Sequence, residues 1–262
     1  MTANEVVERI RKNIGIPWNE KSYRDTFKVG DPNTEVKGIA TTFMATLDLI
    51  QRARAAGLNF VITHEPTFWS DRDTVSELAN DPIYKFKVDY CARNKMVVWR
   101  YHDHIHSRPP DLIWVGLVRS LGWQDRQTSG SRNRFTFPET TLGALAADIQ
   151  RRMNVHALRV VGDPSAKVSS AAVGMGYNIP RATPDVDVVI GGENPEAGGP
   201  FDDTEYILDA AYFGRNKGQI VLGHAISEEP GMEDCANWLR TFVTEVQIQF
   251  IRAGEPFWSP KA

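Results

Sequence analysis

The amino-acid sequence predicts an α/β protein made of two interleaved α/β domains, with mixed sheets flanked by helices. Short β-branched runs alternate with segments of helical periodicity along the 262 residues, a pattern that is typical of strand–helix units. Glycine and proline mark the ends of most segments. Three predicted strands end in clusters of histidine and carboxylate side chains. Because α/β sheets collect ligands beyond the carboxyl ends of strands, we expect a metal site there.

Composition limits the class of protein. Hydrophobic residues make up 42% of the chain and charged residues 24%, which argues against extensive disorder. A chain of 262 residues can bury a full core. The formal net charge is -3, from 30 basic and 33 acidic residues, and the sequence contains no Lys/Arg run that demands a basic patch. This near balance gives no reason to expect a nucleic-acid backbone as the main partner.

The cysteines and the start of the chain predict the cellular context. Cys91 and Cys235 stand alone in apolar surroundings without CxxC spacing, so we expect two buried, reduced thiols. The first 15 residues are charged and lack an apolar stretch, which predicts a surface helix and not a signal peptide. No apolar run approaches the roughly 20 residues that span a bilayer. We therefore expect a cytoplasmic protein without membrane contact.

The first part of the chain is predicted to form two helix–strand units. We expect helices over 3–14, 47–56 and 81–94, and strands over 36–42, 58–63 and 96–101. Gly57 follows the second helix at the position where helices prefer a left-handed residue. The run at 58–63 is continuous and apolar, as in a buried strand, and Pro66 should end its pairing.

The middle and last parts of the chain are predicted to differ in role. Residues 124–185 are expected to form a smaller inserted α/β module, and the main domain is expected to comprise 1–123 and 186–262. Ser227 is the expected N-cap of the last helix, with Glu228 in its first turn. The remaining helices are expected at 111–121, 141–153, 203–216 and 229–243, and the remaining strands near 134–137, 157–161, 171–173, 187–190, 219–222 and 246–251.

All of the 6 histidines except His156 lie in three short motifs, each directly after a predicted strand. The motifs are THEP (63–66), HDHIH (102–106) and GHAISE (223–228). Imidazole and carboxylate together suit zinc, iron, manganese or nickel, and the set can hold one ion or two. In an extended chain, the side chains at 102, 104 and 106 would share one face. One histidine at a strand end is usually an ordinary hydrogen-bonded residue, but three such motifs favour a metal site.

The order and spacing of the three motifs resemble the Nif-three-like family, and the similarity covers most of the chain. In that family a strand ends in THHP, a later strand leads to HxxxD, and a C-terminal strand ends in GHxxxE. The last motif is the most specific of the three, and it matches in full. The resemblance implies a dinuclear divalent-metal centre in a homohexamer whose sites face an internal cavity.

The first two motifs match the family with two exchanges. His64 takes the first histidine of THHP, and Glu65 stands where the second would be. His102 matches the histidine of HxxxD, and His106 stands where its aspartate would be. One histidine has thus become an acid and one acid a histidine, so the donor groups are kept but redistributed. This exchange leaves open which ligand serves which ion and which metal is bound.

The last motif completes the ligand set that the resemblance implies. His224 and Glu228 match GHxxxE directly, whereas His104 has no counterpart in the family and is a reserve ligand. His102 and Asp103 are expected to orient ligands or to move a proton. The expected metal ligands are His64, Glu65, His104, His106, His224 and Glu228. Which of Asp103, His104 and His106 is the ligand in the second motif stays open.

Functions of two different classes fit such a site. The first is a metal-dependent hydrolase that uses metal-activated water on a small-molecule substrate. The resemblance implies chemistry like that of a type-two GTP cyclohydrolase, although no residue in the sequence identifies a guanine or triphosphate pocket. The second is a non-catalytic protein that binds metal for storage, delivery or regulation. A third alternative is a degenerate member of the family whose exchanged ligands no longer bind metal.

Overall fold

Strands and helices alternate in the computed structural model of the protein, which describes residues 1–260. The strands form two five-stranded sheets of mixed direction flanked by helices, so the predicted α/β class is confirmed. The chain divides into two compact units. Unit 1 comprises residues 1–116 and 231–253, and unit 2 comprises residues 117–230 with the segment from 254 onwards.

The sheet of unit 1 has the strand order β1-β4-β3-β2-β10. Its strands are β1 (Phe27–Val29), β2 (Gly38–Thr42), β3 (Phe60–Thr63), β4 (Val97–Arg100) and β10 (Gln247–Phe250). β1 is antiparallel to β4, and the other neighbours are parallel. Every residue of β2, β3 and β4 is buried, as expected for parallel strands that are covered on both faces.

Side chains cap the N-termini of the first two helices of unit 1. Thr2 and Glu5 form a capping box at α1, and Thr46 caps α2. Gly57 adopts φ +79° just after α2, as its position in the sequence predicts. The helices are α1 (Ala3–Asn13), α2 (Leu47–Ala55), α3 (Pro82–Arg93) and α4 (Asp103–Ser107), with parts of α5 (Leu112–Leu121) and α8 (His224–Leu239).

The sheet of unit 2 has the strand order β5-β7-β8-β9-β6. Its strands are β5 (Arg134–Thr141), β6 (Arg159–Val161), β7 (Lys167–Val173), β8 (Val188–Gly191) and β9 (Gly218–Val221). The central strands β7, β8 and β9 are parallel, and β5 and β6 are antiparallel to their neighbours. The unit also contains α6 (Leu142–Met153) and α7 (Gly199–Tyr212).

The unit boundaries differ from the predicted domain boundaries. The predicted main domain includes residues 186–262, but β8 and β9 belong to the sheet of unit 2. The reason is strand pairing, because β8 pairs with β7 in the register Ala171↔Val188 and β9 pairs with β8. Only residues 231–253 of the last part of the chain belong to unit 1.

Three local predictions differ from the structure. β1 lies in a segment that the sequence predicts to be a loop. The segment 102–106 does not continue β4 as an extended chain, because residues 103–107 form α4 and His102 directly precedes this helix. The last helix begins at His224, ahead of the predicted start at 229. It does so because the Ser227 N–H donates to the carbonyl oxygen of Gly223, so Ser227 lies inside the helix and is not its N-cap.

The cysteines agree with the sequence prediction. Cys91 and Cys235 are both buried as free thiols, and burial raises the pKa of Cys91 to about 11 and that of Cys235 to about 12. Within residues 1–260, no helix has the length and hydropathy that crossing a membrane requires.

Candidate metal centre

Three imidazoles of unit 1 lie together where two neighbouring strands end. His64 follows β3 directly, and His102 and His106 follow β4. Because β3 and β4 are parallel neighbours, their carboxyl ends lie side by side. One ring nitrogen of each histidine lies within 4.8 Å of a ring nitrogen of the other two. The Nε2 atoms of His64 and His106 are only 3.2 Å apart.

The opposite nitrogen of each ring, Nδ1, lies against an oxygen acceptor. The acceptors are the Tyr101 carbonyl oxygen at 3.1 Å from His64, Asp103 Oδ1 at 3.1 Å from His102, and Asp111 Oδ2 at 3.3 Å from His106. A carbonyl or carboxylate oxygen can only accept, so each Nδ1 carries a proton, and in the neutral form of each ring Nε2 presents a lone pair. Histidines that bind metals are held in this way by the atoms around them.

The charge state of His102 follows from its surroundings. Burial, followed by the neighbouring His64 and His106, lowers the pKa of His102 from 6.5 to about 3. The hydrogen bond to Asp103 acts in the opposite direction and is outweighed. His102 is therefore a neutral imidazole at pH 7, which is the form that binds metal.

Asp103 orients His102 and is itself held by two residues. Its Oδ2 accepts from Ser22 Oγ at 2.8 Å, and its Oδ1 lies 3.2 Å from Arg24 Nη1. Burial raises the pKa of Asp103, but hydrogen bonds from these two residues and from His102 outweigh it, and the pKa lies below 3.8. The carboxylate is thus an ionised acceptor at neutral pH, which suits the orienting role that the sequence suggests.

The helical form of residues 103–107 explains which histidines meet. Asp25 accepts hydrogen bonds from the N–H groups of His102, Asp103 and His104 at 2.5, 3.0 and 2.9 Å, and so supplies the acceptors that a helix start needs. His102 and His106 are four residues apart and share one face of this turn. His104 lies between them in sequence and therefore points to the other side. The expectation that all three share one face is wrong because the segment is not extended.

His104 is placed outside the cluster. Its Nδ1 bonds to the Asp25 carboxylate, and its Nε2 accepts from the Asn19 N–H at 2.8 Å. The ring stacks on Trp18 with 3.6 Å between centroids, and the residue is 3% exposed. Both ring nitrogens of His104 are therefore hydrogen-bonded within the fold. His104, expected as a reserve ligand, has a structural role here.

Arg100, the last residue of β4, joins the strand ends to the loop after β3. It is 1% exposed, and its Nε donates to the His64 carbonyl oxygen at 3.0 Å. Its Nη2 lies 3.5 Å from Glu65 Oε2 and 3.0 Å from Asp71 Oδ1. The other Glu65 oxygen, Oε1, is 3.9 Å from His102 Nε2. Sequence reasoning misses Arg100, although a charged residue in the otherwise apolar run MVVWRY (96–101) signals it.

A second cluster lies in unit 2, at the start of α8. His224 is the first residue of the helix and Glu228 lies one turn later, so their side chains share a face. His224 Nε2 is 2.9 Å from Glu228 Oε2, and His224 Nδ1 is 2.6 Å from Glu193 Oε1. His224 and Glu228 are four residues apart in the sequence, and the helical turn between them brings their side chains together. Sequence reasoning does not predict the contact with Glu193, which follows β8.

Glycines make room for the Glu228 carboxylate. At Gly176, where φ is +58°, an added Cβ would lie 2.3 Å from Glu228 Oε1. At Gly192 it would lie 2.2 Å from the Gly176 carbonyl oxygen. The Gly176 N–H donates to Ser227 Oγ at 2.9 Å, which fixes the turn against α8. A larger residue at 176 or 192 would displace either the turn or the carboxylate.

The donor atoms of the first cluster fit the metal that the sequence predicts. Imidazole nitrogens with a carboxylate nearby are ligands for zinc, iron, manganese and nickel. The Nε2 lone pairs of His64 and His106 face each other across 3.2 Å, which is unfavourable without a proton or a cation between them. His102 belongs to this group of donors, whereas the sequence assigns it an orienting role.

Sequence comparisons connect the chain with a known family. A family model described as Duf34/NIF3 (NGG1p interacting factor 3) matches residues 1–256. A GTP cyclohydrolase 1 type 2 homolog from Clostridium acetobutylicum is 26% identical over 220 residues, which cover 78% of this chain and 76% of that protein. A Chlamydia pneumoniae protein of the same name is 26% identical over 243 residues, which cover 88% of this chain and 89% of that protein.

Solved structures share the fold. A hypothetical protein from Staphylococcus aureus matches with a TM-score of 0.72 and 15% sequence identity, and the match covers 99% of each chain. At this identity the match shows the arrangement of strands and helices and nothing about chemistry.

Proposed function

The chain belongs to the Duf34/NIF3 family, and from this premise we propose that it is a metal-dependent hydrolase. The proposal depends on one observation, the 3.2 Å between the Nε2 atoms of His64 and His106. Both rings are fixed by an acceptor at Nδ1, so both lone pairs point into the same space. A divalent cation bound there turns an unfavourable contact between two lone pairs into two metal–ligand bonds.

The ligands of the proposed ion in unit 1 are the three clustered imidazoles and one carboxylate. His64, His102 and His106 supply Nε2 atoms, and Glu65 supplies Oε1, which is 3.9 Å from His102 Nε2. Three protein imidazoles are a common ligand set in catalytic metal sites, and an ion with more than four coordination positions would bind the Glu65 oxygen as well and still leave a position for water or substrate. In unit 2, His224 and Glu228 supply a further imidazole and carboxylate for a second ion.

The chemistry assigns distinct tasks to the surrounding residues. A divalent ion held by these residues would lower the pKa of water towards 7 and so make hydroxide available at neutral pH. Asp103 and Asp111 hold the rings of His102 and His106 at Nδ1 and so leave Nε2 available to a metal ion. Arg100 fixes the Glu65 carboxylate and the His64 backbone together.

The names of the relatives suggest the class of substrate. Two relatives are called GTP cyclohydrolase 1 type 2 homologs, so hydrolysis of a nucleotide, with GTP first, is the reaction to screen. The site would act on a small molecule. The resemblance also implies a homohexamer, and we propose this assembly for the chain. A sedimentation mass near six times 29.4 kDa is expected, and a mass of 29.4 kDa would contradict it.

Metal content and turnover, measured on the same preparations, test the hydrolase proposal. We expect wild-type protein to contain a transition metal and to hydrolyse a nucleotide or phosphate ester, and His106→Ala to lose the metal of unit 1 together with the turnover. The control is His156→Ala, because the side chain of His156 is 65% exposed and lies outside both clusters.

Two results would contradict the proposal in different ways. Metal without turnover of any nucleotide or phosphate ester would favour a role in storage, delivery or regulation. Protein that takes up no Zn²⁺, Mn²⁺ or Fe²⁺ would contradict both functions and favour a site that has lost metal binding.

A further inference from the structure

Tyr177 lies beside the second cluster and is largely exposed. Its side chain is 81% exposed. The ring contacts the imidazole of His224, with 4.8 Å between centroids and 74° between the ring planes. A large aromatic side chain exposed to solvent leaves apolar surface in contact with water, which is unfavourable. A molecule bound next to the candidate ligand would cover this surface.

The turn that carries Tyr177 is fixed by close packing on both sides. At Gly174 an added Cβ would lie 2.5 Å from the Asn178 carbonyl oxygen, and at Gly176 it would lie 2.3 Å from Glu228 Oε1. The Gly174 N–H donates to the Ile190 carbonyl oxygen at 2.8 Å, and the Asn178 N–H donates to the Met175 carbonyl oxygen at 2.9 Å. Tyr177 therefore extends from a constrained backbone, as a preorganised contact residue does.

Exposure alone does not distinguish Tyr177 from the other aromatic residues of unit 2. Tyr212 is 90% exposed and Phe213 is 81% exposed, but both lie at the end of α7. Tyr177 combines exposure with a ring contact to His224. Tyr177 thus differs from Tyr212 and Phe213 in its position beside the second cluster and in the fixed turn that carries it.

We infer that Tyr177 is a substrate-contacting residue whose ring stacks on a planar heteroaromatic ring held at the second cluster. This inference rests on the proposed function and names the class of substrate. Stacking on tyrosine tolerates different bases, because every base has a π-face. The residue would thus select molecules with an aromatic ring over molecules that carry only sugar and phosphate. Glu228 and His224 provide the polar side of the same contact surface.

A matched pair of probes tests the inference by equilibrium binding to the full-length protein. AMP and GMP carry a base, whereas ribose 5-phosphate has the same sugar and phosphate without one. Isothermal titration calorimetry is applied to wild type, Tyr177→Ala, Tyr177→Phe and the control Tyr212→Ala. Any contact between phosphate and metal contributes to all three probes, so the difference between them reports the base.

We expect AMP or GMP to bind wild type more tightly than ribose 5-phosphate does. Tyr177→Ala should weaken binding of the base-containing probe by roughly 5- to 100-fold and leave ribose 5-phosphate unchanged. Tyr177→Phe should stay close to wild type because it retains the ring, and Tyr212→Ala should not differ from wild type. Equal affinity of wild type for all three probes, or an unchanged affinity in Tyr177→Ala, would overturn the inference.

The same preparations separate this inference from the hydrolase proposal. Metal and turnover in wild type, with no preference for a base, would overturn the role of Tyr177 and leave the hydrolase intact. A base preference that disappears in Tyr177→Ala, in protein without metal or turnover, would support the ring contact and overturn the hydrolase.

Discussion

The two clusters use the same residue types but satisfy them differently. In unit 1, the imidazoles of His64 and His106 face each other with 3.2 Å between Nε2 atoms. In unit 2, His224 lies between two carboxylates, with Glu193 at Nδ1 and Glu228 at Nε2. The first arrangement places two potential metal-binding nitrogens next to each other. The second places an imidazole next to two carboxylates.

This difference indicates which cluster depends more strongly on a cation. An imidazole between two carboxylates can take up a proton and form ion pairs without any metal. Two facing imidazoles do not offer each other a negative charge that would balance a proton. Burial also opposes a proton on His102, whose pKa is lowered to about 3. We therefore expect the cluster of unit 1 to bind its metal more tightly than the cluster of unit 2.

Removal of one facing imidazole has the largest expected effect. His106→Ala should weaken metal binding in unit 1 by more than about 100-fold, since it removes a ligand and not only a group that orients one. His224→Ala should lower the ratio of metal to protein without abolishing it. Competition with a chelator of known affinity measures both. Loss of all metal in His224→Ala with full retention in His106→Ala would reverse the comparison.

Removal of an orienting charge has a smaller effect at the same site. Asp111→Asn keeps an oxygen that can accept from the N–H groups of Ile113 and Trp114 but replaces the carboxylate at His106 Nδ1. Changes of this kind weaken metal binding by roughly 10- to 100-fold. Asp185→Asn, at an exposed carboxylate of unit 2, is the matched control. An Asp111→Asn affinity equal to that of the control would show that the carboxylate does not support the ligand.

Acid should destabilise the metal-free protein through His102. The pKa of His102 is lowered from 6.5 to about 3 by burial and by its neighbours, so the unfolded chain binds a proton between these values and the native state does not. Stability is therefore lost as the pH falls from 6.5 towards 3, by about 2 kcal/mol between pH 7 and 5.

His102→Asn provides the control for the acid effect. In EDTA, urea unfolding at pH 7 and 5 should show a smaller loss of stability in this variant than in wild type. Equal losses in the two proteins would mean that His102 is not kept neutral by the fold.

The smallest expected effect on the metal is that of His104. His104→Gln removes a ring that stacks on Trp18 and bonds to Asp25 and Asn19, which should lower the free energy of unfolding by about 1–3 kcal/mol. The metal affinity of the folded variant should match wild type. A large loss of metal at unchanged stability would return His104 to the ligand set.

Much of the fold follows from local signals in the sequence. The buried strand at 58–63 is a continuous apolar run, and Gly57 marks the end of α2 through its positive φ. β1 is harder to predict because it has three residues, all only partly buried, and one neighbour. Such a strand depends on its partner and not on its own pattern.

The candidate site was predictable in its residues but not in its geometry. The motifs identify His64, His106 and His224, because each belongs to a motif that follows a strand. The roles of His102 and His104 could not be predicted, since they depend on Asp25, which is 77 residues before His102. This carboxylate turns the segment into a helix, and a helical turn changes which side chains share a face. Local sequence carries no information on so distant a cap.

Metal binding by His64, His102 and His106 can be tested most directly at the imidazole nitrogens themselves. In protein labelled with ¹⁵N-histidine and freed of metal, NMR reports each ring nitrogen before and after addition of Zn²⁺, and alanine variants of the 6 histidines assign the signals. We expect the Nε2 signals of His64, His102 and His106 to move to metal-bound positions and those of His104 and His156 to stay unchanged. A response at His104 without one at His64 and His106 would contradict it.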